Sequence, residues 1–126
     1  MLTEKEEEVA TKIVDSAFSV HKKLGPGLLE SIYETCFCYE LGKRDLKFVK
    51  QCALPVKYDD IVFEEGLRLD VLVENLIICE IKSAIEHNPL FDAQLLTYLR
   101  LSGRRLGFLI NFNVPLIKDG IKRIIN

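Results

Sequence analysis

The sequence has no tryptophan, one methionine, two histidines and four cysteines among its 126 residues. The cysteines are Cys36, Cys38, Cys52 and Cys79. They form no C-x2-C pair, and only His21 and His87 could join them, so the spacing does not fit a zinc site. Each cysteine stands among apolar residues, and we therefore expect reduced, buried thiols.

Long apolar runs are also absent. No stretch approaches the ~20 residues that cross a bilayer, and the first eight residues carry four glutamates, unlike a signal peptide. The prediction is a cytoplasmic protein without a membrane partner. There is no glycine-rich nucleotide loop and no Ser/His/Asp arrangement. The length predicts one domain over residues 1–126, large enough to fold without disulfides.

The chain lacks the basic excess that phosphate contacts give to most nucleic-acid-binding proteins. The formal net charge is −2, and residues 9–126 hold 16 basic and 15 acidic residues. Basic pairs do occur, for example Lys22-Lys23 and Arg104-Arg105. Charge therefore neither supports nor excludes a nucleic-acid substrate.

Hydrophobic periodicity and end signals predict the order α-α-β-β-β-α-β-α. Thr3 and Glu6 fit a capping box that opens the first helix, and Gly25-Pro26-Gly27 ends it. The predicted helices cover 3–24, 28–41, 89–102 and 115–125, and the predicted extended segments cover 46–58, 61–64, 67–73, 76–82 and 106–112. This order predicts a mixed β-sheet flanked by helices, in the α/β or α+β class.

Charged residues interrupt two apolar, strand-like runs in the segment LRLDVLVENLIICEIKS, residues 67–83. Asp70, Glu80 and Lys82 occupy positions where charge is costly unless it is paired or binds a metal. Two carboxylates can hold a divalent cation, and a nearby lysine can orient the attacking water. The pattern D-x9-E-x-K therefore indicates metal-assisted phosphodiester hydrolysis.

The connection between the two strands decides whether these acids can meet. A two-residue turn at Glu74-Asn75 would place Asp70 on the opposite face from Glu80, because side chains alternate along a strand. A three-residue loop, 74–76, pairs Val73 with Ile77 and Asp70 with Glu80. It also aligns the apolar faces, with Leu69 expected to share a face with Val71 and Val73. We therefore expect the odd loop.

Helical spacing singles out four further residues, each with an ordinary structural explanation as well. Glu30 and Tyr33, three apart after Gly27, share a helix face; Glu30 could reach the carboxylates, or it could serve the helix dipole while Tyr33 fills the core. Gln94 and Tyr98, four apart, could contact a phosphate or brace the lysine, or they could be ordinary amphipathic-helix residues.

The combination of motifs resembles the GxxExxY family of the PD-(D/E)xK nuclease-like superfamily. The resemblance rests on VHKKLGPGLLESIYE (20–34), LRLDVLVENLIICEIKS (67–83), AQLLTYLRLSG (93–103) and GFLINFNVP (107–115). It departs from the family where a histidine commonly precedes the Ala-Gln pair, since Phe91 and Asp92 stand there.

This resemblance implies a restriction-endonuclease-like core. Asp70 and Glu80 would be the metal ligands, with the backbone carbonyl of Ile81 and the helix carboxylate Glu30 as further ligands. Lys82 would be the catalytic lysine, and the pair Gln94 and Tyr98 would match the Q-x3-Y helix of nucleases of the RecB type.

Two functions of different classes follow. The first is a nuclease that depends on Mg²⁺ or Mn²⁺ and cuts nucleic acid, with DNA preferred over RNA as the substrate. The second is a non-catalytic binding or assembly module that keeps the fold, which the near-neutral charge favours. The intact Asp70, Glu80 and Lys82 argue against it, because a scaffold would gain stability from apolar groups there. A homodimer or protein partner could lengthen the substrate groove.

Overall fold

The computed structural model describes residues 1–126 as three helices and a five-stranded sheet. The elements are α1 (Glu4–Leu24), α2 (Glu30–Lys43), β1 (Phe48–Tyr58), β2 (Ile61–Val73), β3 (Ile77–Lys82), α3 (Pro89–Ser102), β4 (Leu106–Asn111), a 3-10 turn (Ile117–Asp119) and β5 (Ile121–Ile125). The predicted mixed α/β (α+β) architecture is confirmed. The two short runs expected at 61–64 and 67–73 form one continuous strand, β2.

The sheet order is β1-β2-β3-β4-β5. Strands β1, β2 and β3 are antiparallel, β3 and β4 are parallel, and β5 is antiparallel to β4. Helix α3 makes the crossover between β3 and β4 that a parallel pair requires. The central strands β3 and β4 are covered by α1 and α2 on one face and by α3 on the other.

Local signals set the helix ends. The Thr3 side chain accepts a hydrogen bond from the backbone N–H of Glu6, and the Glu6 carboxylate accepts one from the backbone N–H of Thr3, completing the capping box. Asn88 caps α3 by accepting from the N–H of Leu90, and Gly103 ends that helix in the left-handed region. These caps match the predicted ends of α1 and α3, whereas α2 begins and ends two residues later than the predicted 28–41.

Two apolar cores lie on opposite faces of the sheet. The α1/α2 core joins both N-terminal helices to one face, with Val71, Val73 and Cys79 among its strand residues. The α3 core joins Leu95 and Leu99 to the other face, and its strand members are Leu67, Leu69, Leu72, Ile78 and Leu109. All four cysteines are free thiols; Cys38 and Cys79 are buried, and Cys36 and Cys52 are half-buried.

The facing of β2 differs from the prediction. Leu69 packs in the α3 core, whereas Val71 and Val73 pack in the α1/α2 core. Side chains two apart in a regular strand share a face, so β2 reverses its facing at Asp70. The expectation that Leu69 shares a face with Val71 is therefore wrong, because alternation alone cannot show a reversal inside a strand.

The predicted closing helix at 115–125 is also wrong. The segment forms the 3-10 turn and then β5, which pairs with β4. Gly120 lies so close to Asn111 that a Cβ atom would overlap the Asn111 carbonyl oxygen, and its own carbonyl accepts a bond from the Asn111 N–H. The isoleucines repeat with nearly helical spacing, but glycine weakens a helix and β-branched residues favour a strand.

No helix in the structure has both the length and the apolar character needed to cross a membrane.

Candidate active site

Asp70 and Glu80 meet where strands β2 and β3 separate. The predicted three-residue loop at 74–76 is present, and its register pairs Val73 with Ile77 and Val71 with Cys79. Continuing this register by one residue places Asp70 opposite Glu80. The charged residues of both strands therefore reach the same point of the sheet, as the loop argument predicted.

Side chains replace the backbone ladder at this position. The backbone N–H of Asp70 donates to Oε2 of Glu80 at 2.9 Å, and the N–H of Ile81 donates to Oδ2 of Asp70 at 2.8 Å. Each carboxylate thus lies against the opposite strand, and the two acids are interleaved. These two hydrogen bonds fix the positions of both side chains.

Burial and like charge act together on Glu80. The residue is only 4% exposed. Burial, followed by the charge of Asp70, raises the pKa of Glu80 from 4.5 to about 8, while the Asp70 N–H and the Lys82 charge oppose the shift. Glu80 therefore keeps a proton at neutral pH, and a cation that binds the pair has to displace it.

Lys82 lies two residues after Glu80 at the end of β3, on the same face. Its Nζ atom stands 4.6 Å from the centre of the Phe91 ring, in a cation–π contact with α3. None of the ion pairs within 4.0 Å involves Lys82; its charge nevertheless lowers the pKa of Glu80. The ammonium group is thus held near the acids without being neutralised by them.

Helix α2 carries two carboxylates near the site, and the prediction named only the first of them, Glu30. Glu30 is exposed at the first residue of α2. Glu34, one turn later, has a side chain that is only 14% exposed. Burial and then the charge of Asp70 raise the pKa of Glu34, with Glu30 as the smallest contributor. Glu34 also acts on Glu80. The structure therefore couples Glu34 to the Asp70–Glu80 pair more strongly than it couples Glu30.

Sequence reasoning missed Glu34, although a signal was present. Glu30 and Glu34 are four apart, so they lie on the same face of α2. The motif drew attention to the first acid only.

Tyr33 supports the loop before α2 rather than reaching the acids. Its ring stacks on Phe112 with centroids 4.6 Å apart. Its hydroxyl donates to the carbonyl of Gly25 at 2.6 Å and accepts from the N–H of Leu28 at 3.1 Å. Ser83, just after β3, donates to the Leu28 carbonyl. The loop is thereby tied to the strand that carries Glu80 and Lys82.

Helix α3 contributes Gln94 and Tyr98. Tyr98 is half-buried against the α3 core. Burial and then the charges of Glu80 and Asp70 raise the pKa of Tyr98, and Gln94 acts in the opposite direction. Gln94 itself is exposed. Tyr98 is therefore within electrostatic range of the acids, with Gln94 one turn before it on the outer side.

The donor chemistry fits a small, hard cation. Mg²⁺ keeps several waters and is commonly held by one or two carboxylates together with substrate phosphates. No group of three or more His, Cys, Asp and Glu side chains in the structure is arranged as a closed metal site. The interleaved pair of Asp70 and Glu80 suits an open site that completes its shell with water and phosphate.

The comparison with protein families decides the assignment. The family model described as the PD-(D/E)XK nuclease superfamily matches residues 7–124. The chain belongs to this superfamily. Searches of the curated proteins and of the solved structures found no match. Asp70, Glu80, Ile81 and Lys82 all lie within the matched residues.

Membership of this superfamily bears on the metal and the substrate. PD-(D/E)XK nucleases generally use divalent metal ions, and a nuclease superfamily implies a nucleic-acid substrate.

Proposed function

We propose that this protein is a nuclease that depends on Mg²⁺ or Mn²⁺, hydrolyses phosphodiester bonds and belongs to the GxxExxY branch of its superfamily. The observation that carries the proposal is the interleaved pair of Asp70 and Glu80 with Lys82 on the same strand. A binding module has no need for two acids at this cost, since burial and repulsion raise the pKa of Glu80.

Each residue has a distinct proposed role. Asp70 and Glu80 hold the cation, with the Ile81 carbonyl as a further oxygen donor; Glu80 gives up its proton on binding. The cation, when bound, polarises the phosphate and lowers the pKa of a bound water. Lys82 orients that water and stabilises negative charge that develops on the phosphate.

Helix residues support the phosphate side of this site. Tyr98, within range of both acid charges, and exposed Gln94 are proposed to contact the substrate backbone. The role of Glu30 as a metal ligand stays a prediction, because the charge of Glu30 acts on Glu34. A homodimer is proposed to supply a longer substrate groove than one chain of 126 residues could form.

The test is cleavage of end-labelled DNA and RNA, single- and double-stranded, with Mn²⁺ or Mg²⁺. We expect cutting of DNA by wild type and loss of at least ~100-fold in Asp70→Asn and Lys82→Ala. Asp59→Asn is the matched control, because Asp59 lies in the exposed β1–β2 turn and already has a left-handed φ of 51°, which asparagine accepts. This control should cut like wild type.

The alternative outcome is equally defined. If no nucleic acid is cut with either metal, and millimolar Mn²⁺ leaves the melting curve of wild type unchanged, the non-catalytic binding or assembly module is the correct function. The near-neutral net charge of −2 is the observation that favours it.

A further inference from the structure

Gln51 has a backbone conformation that is unusual for its position. It lies in the middle of β1 with a φ of 48°. Non-glycine residues rarely adopt positive φ, and they do so mainly in turns. Such an outlier within a strand persists only when surrounding interactions impose it, and it is a recognised feature of functional sites.

The outlier faces Asp70 across the β1–β2 ribbon. The neighbouring pairs are Lys50 with Val71 and Cys52 with Leu69, but Gln51 and Asp70 are not joined in the ladder. Both strands reverse their facing at this level: Phe48 packs against the α1/α2 core, whereas Cys52 packs against the α3 core. The left-handed residue and the reversal at Asp70 therefore coincide.

The side chain of Gln51 connects the same level to α2. Its Nε2 donates to Oε1 of Glu34 at 2.9 Å. The backbone carbonyl of Gln51 accepts from the guanidinium group of Arg68 on β2 at 3.1 Å. Lys50 also approaches Glu34, at 4.0 Å. Gln51 thus ties β1, β2 and α2 together around the acid pair.

We propose that Gln51 is a positioning residue of the carboxylate site: its left-handed backbone turns the ribbon over at Asp70, and its amide holds Glu34 beside that acid. If side chains alternated regularly through Gln51 and Asp70, the Asp70 side chain would point into either the α1/α2 core or the α3 core. It would then lose the exchange of hydrogen bonds with Glu80 and Ile81. The metal-related part of this inference rests on the proposed function.

Two substitutions separate the backbone from the amide. Gln51→Val removes both, because a β-branched residue resists positive φ. Gln51→Gly accepts the conformation and removes only the amide. Ala53→Val is the matched control, since Ala53 is an exposed β1 residue in the regular part of the ladder.

The experiment measures amide hydrogen exchange without metal, and Mn²⁺ affinity by calorimetry. In Gln51→Val we expect the Asp70 and Ile81 amides to lose protection and Mn²⁺ to bind about tenfold more weakly. Gln51→Gly should keep that protection and lose about two- to threefold in affinity, and this loss should vanish in a Glu34→Gln background. Ala53→Val should match wild type.

Each contrary result has a clear meaning. Wild-type protection and affinity in Gln51→Val would overturn the positioning role. If Gln51→Val does not fold, Gln51→Ala replaces it; Mn²⁺ affinity equal to or tighter than that of Gln51→Gly would also overturn the role, because alanine tolerates positive φ less well than glycine. If wild type binds no Mn²⁺, the proposed function fails, and amide protection alone decides whether Gln51 positions Asp70.

Discussion

The proton on Glu80 determines how the site behaves near neutral pH. An unfolded glutamate loses its proton near 4.5, but the folded protein keeps it up to about 8. Between these values the folded state holds more protons, so the free energy of unfolding falls as pH rises. The change expected from this one group is roughly 3–5 kcal/mol.

Glu80→Gln should remove this pH dependence. We expect wild type and variant to have similar stability at pH 5 in EDTA, and the variant to be more stable at pH 8. Urea denaturation at both pH values measures the difference. Glu64→Gln, at an exposed position of β2, is the control and should follow wild type. Equal losses of stability in Glu80→Gln and wild type would contradict the assignment.

Lys82 should matter for chemistry more than for metal binding. Its Nζ lies over the Phe91 ring and forms no close ion pair, so Lys82→Ala should bind Mn²⁺ within about threefold of wild type while cleavage falls at least ~100-fold. Parallel calorimetry and cleavage assays test this. A variant that loses Mn²⁺ binding instead would make Lys82 a metal-site residue, contrary to the account.

At the scale of elements, the predictable parts were those with local signals. Capping residues and end glycines located α1 and α3, and hydrophobic matching selected the odd loop between β2 and β3. The reversal at Asp70 and Gln51 had no local signal, because positive φ at a glutamine cannot be read from residue type. Strand β5 was missed because its isoleucine spacing is nearly helical; the contact between Gly120 and Asn111 that excludes a helix joins separate segments.

Two glycines give a prediction at this scale. Gly120→Ala should destabilise the protein by about 2–4 kcal/mol, because its Cβ would overlap the Asn111 carbonyl oxygen and Val114. Gly42→Ala, inside α2 with nothing within 4 Å of its Cβ, should be neutral or stabilise by up to about 1 kcal/mol. Thermal denaturation of both variants measures this, and equal effects would contradict the packing at the C-terminal turn.

The whole molecule should respond to a cation through its folding equilibrium. A metal that binds only the folded state stabilises it by mass action, by about 2.7 kcal/mol at 100 times its Kd. Mn²⁺ should therefore raise the Tm of wild type, and Asp70→Asn should abolish the rise. The same substitution removes the Asp70 charge that helps to raise the pKa of Glu80, so the metal-free variant should be at least as stable as wild type. An equal metal-dependent rise in Asp70→Asn would place the cation elsewhere.

A metal site formed by Asp70 and Glu80 can be tested by a calorimetric Mn²⁺ titration of wild type and Asp70→Asn at pH 7, in buffers of different ionisation enthalpy. We expect one Mn²⁺ to bind per wild-type chain, with a proton released because Glu80 must ionise, and no Mn²⁺ to bind to Asp70→Asn. No binding to wild type, or the same binding to Asp70→Asn, would contradict a metal site formed by Asp70 and Glu80.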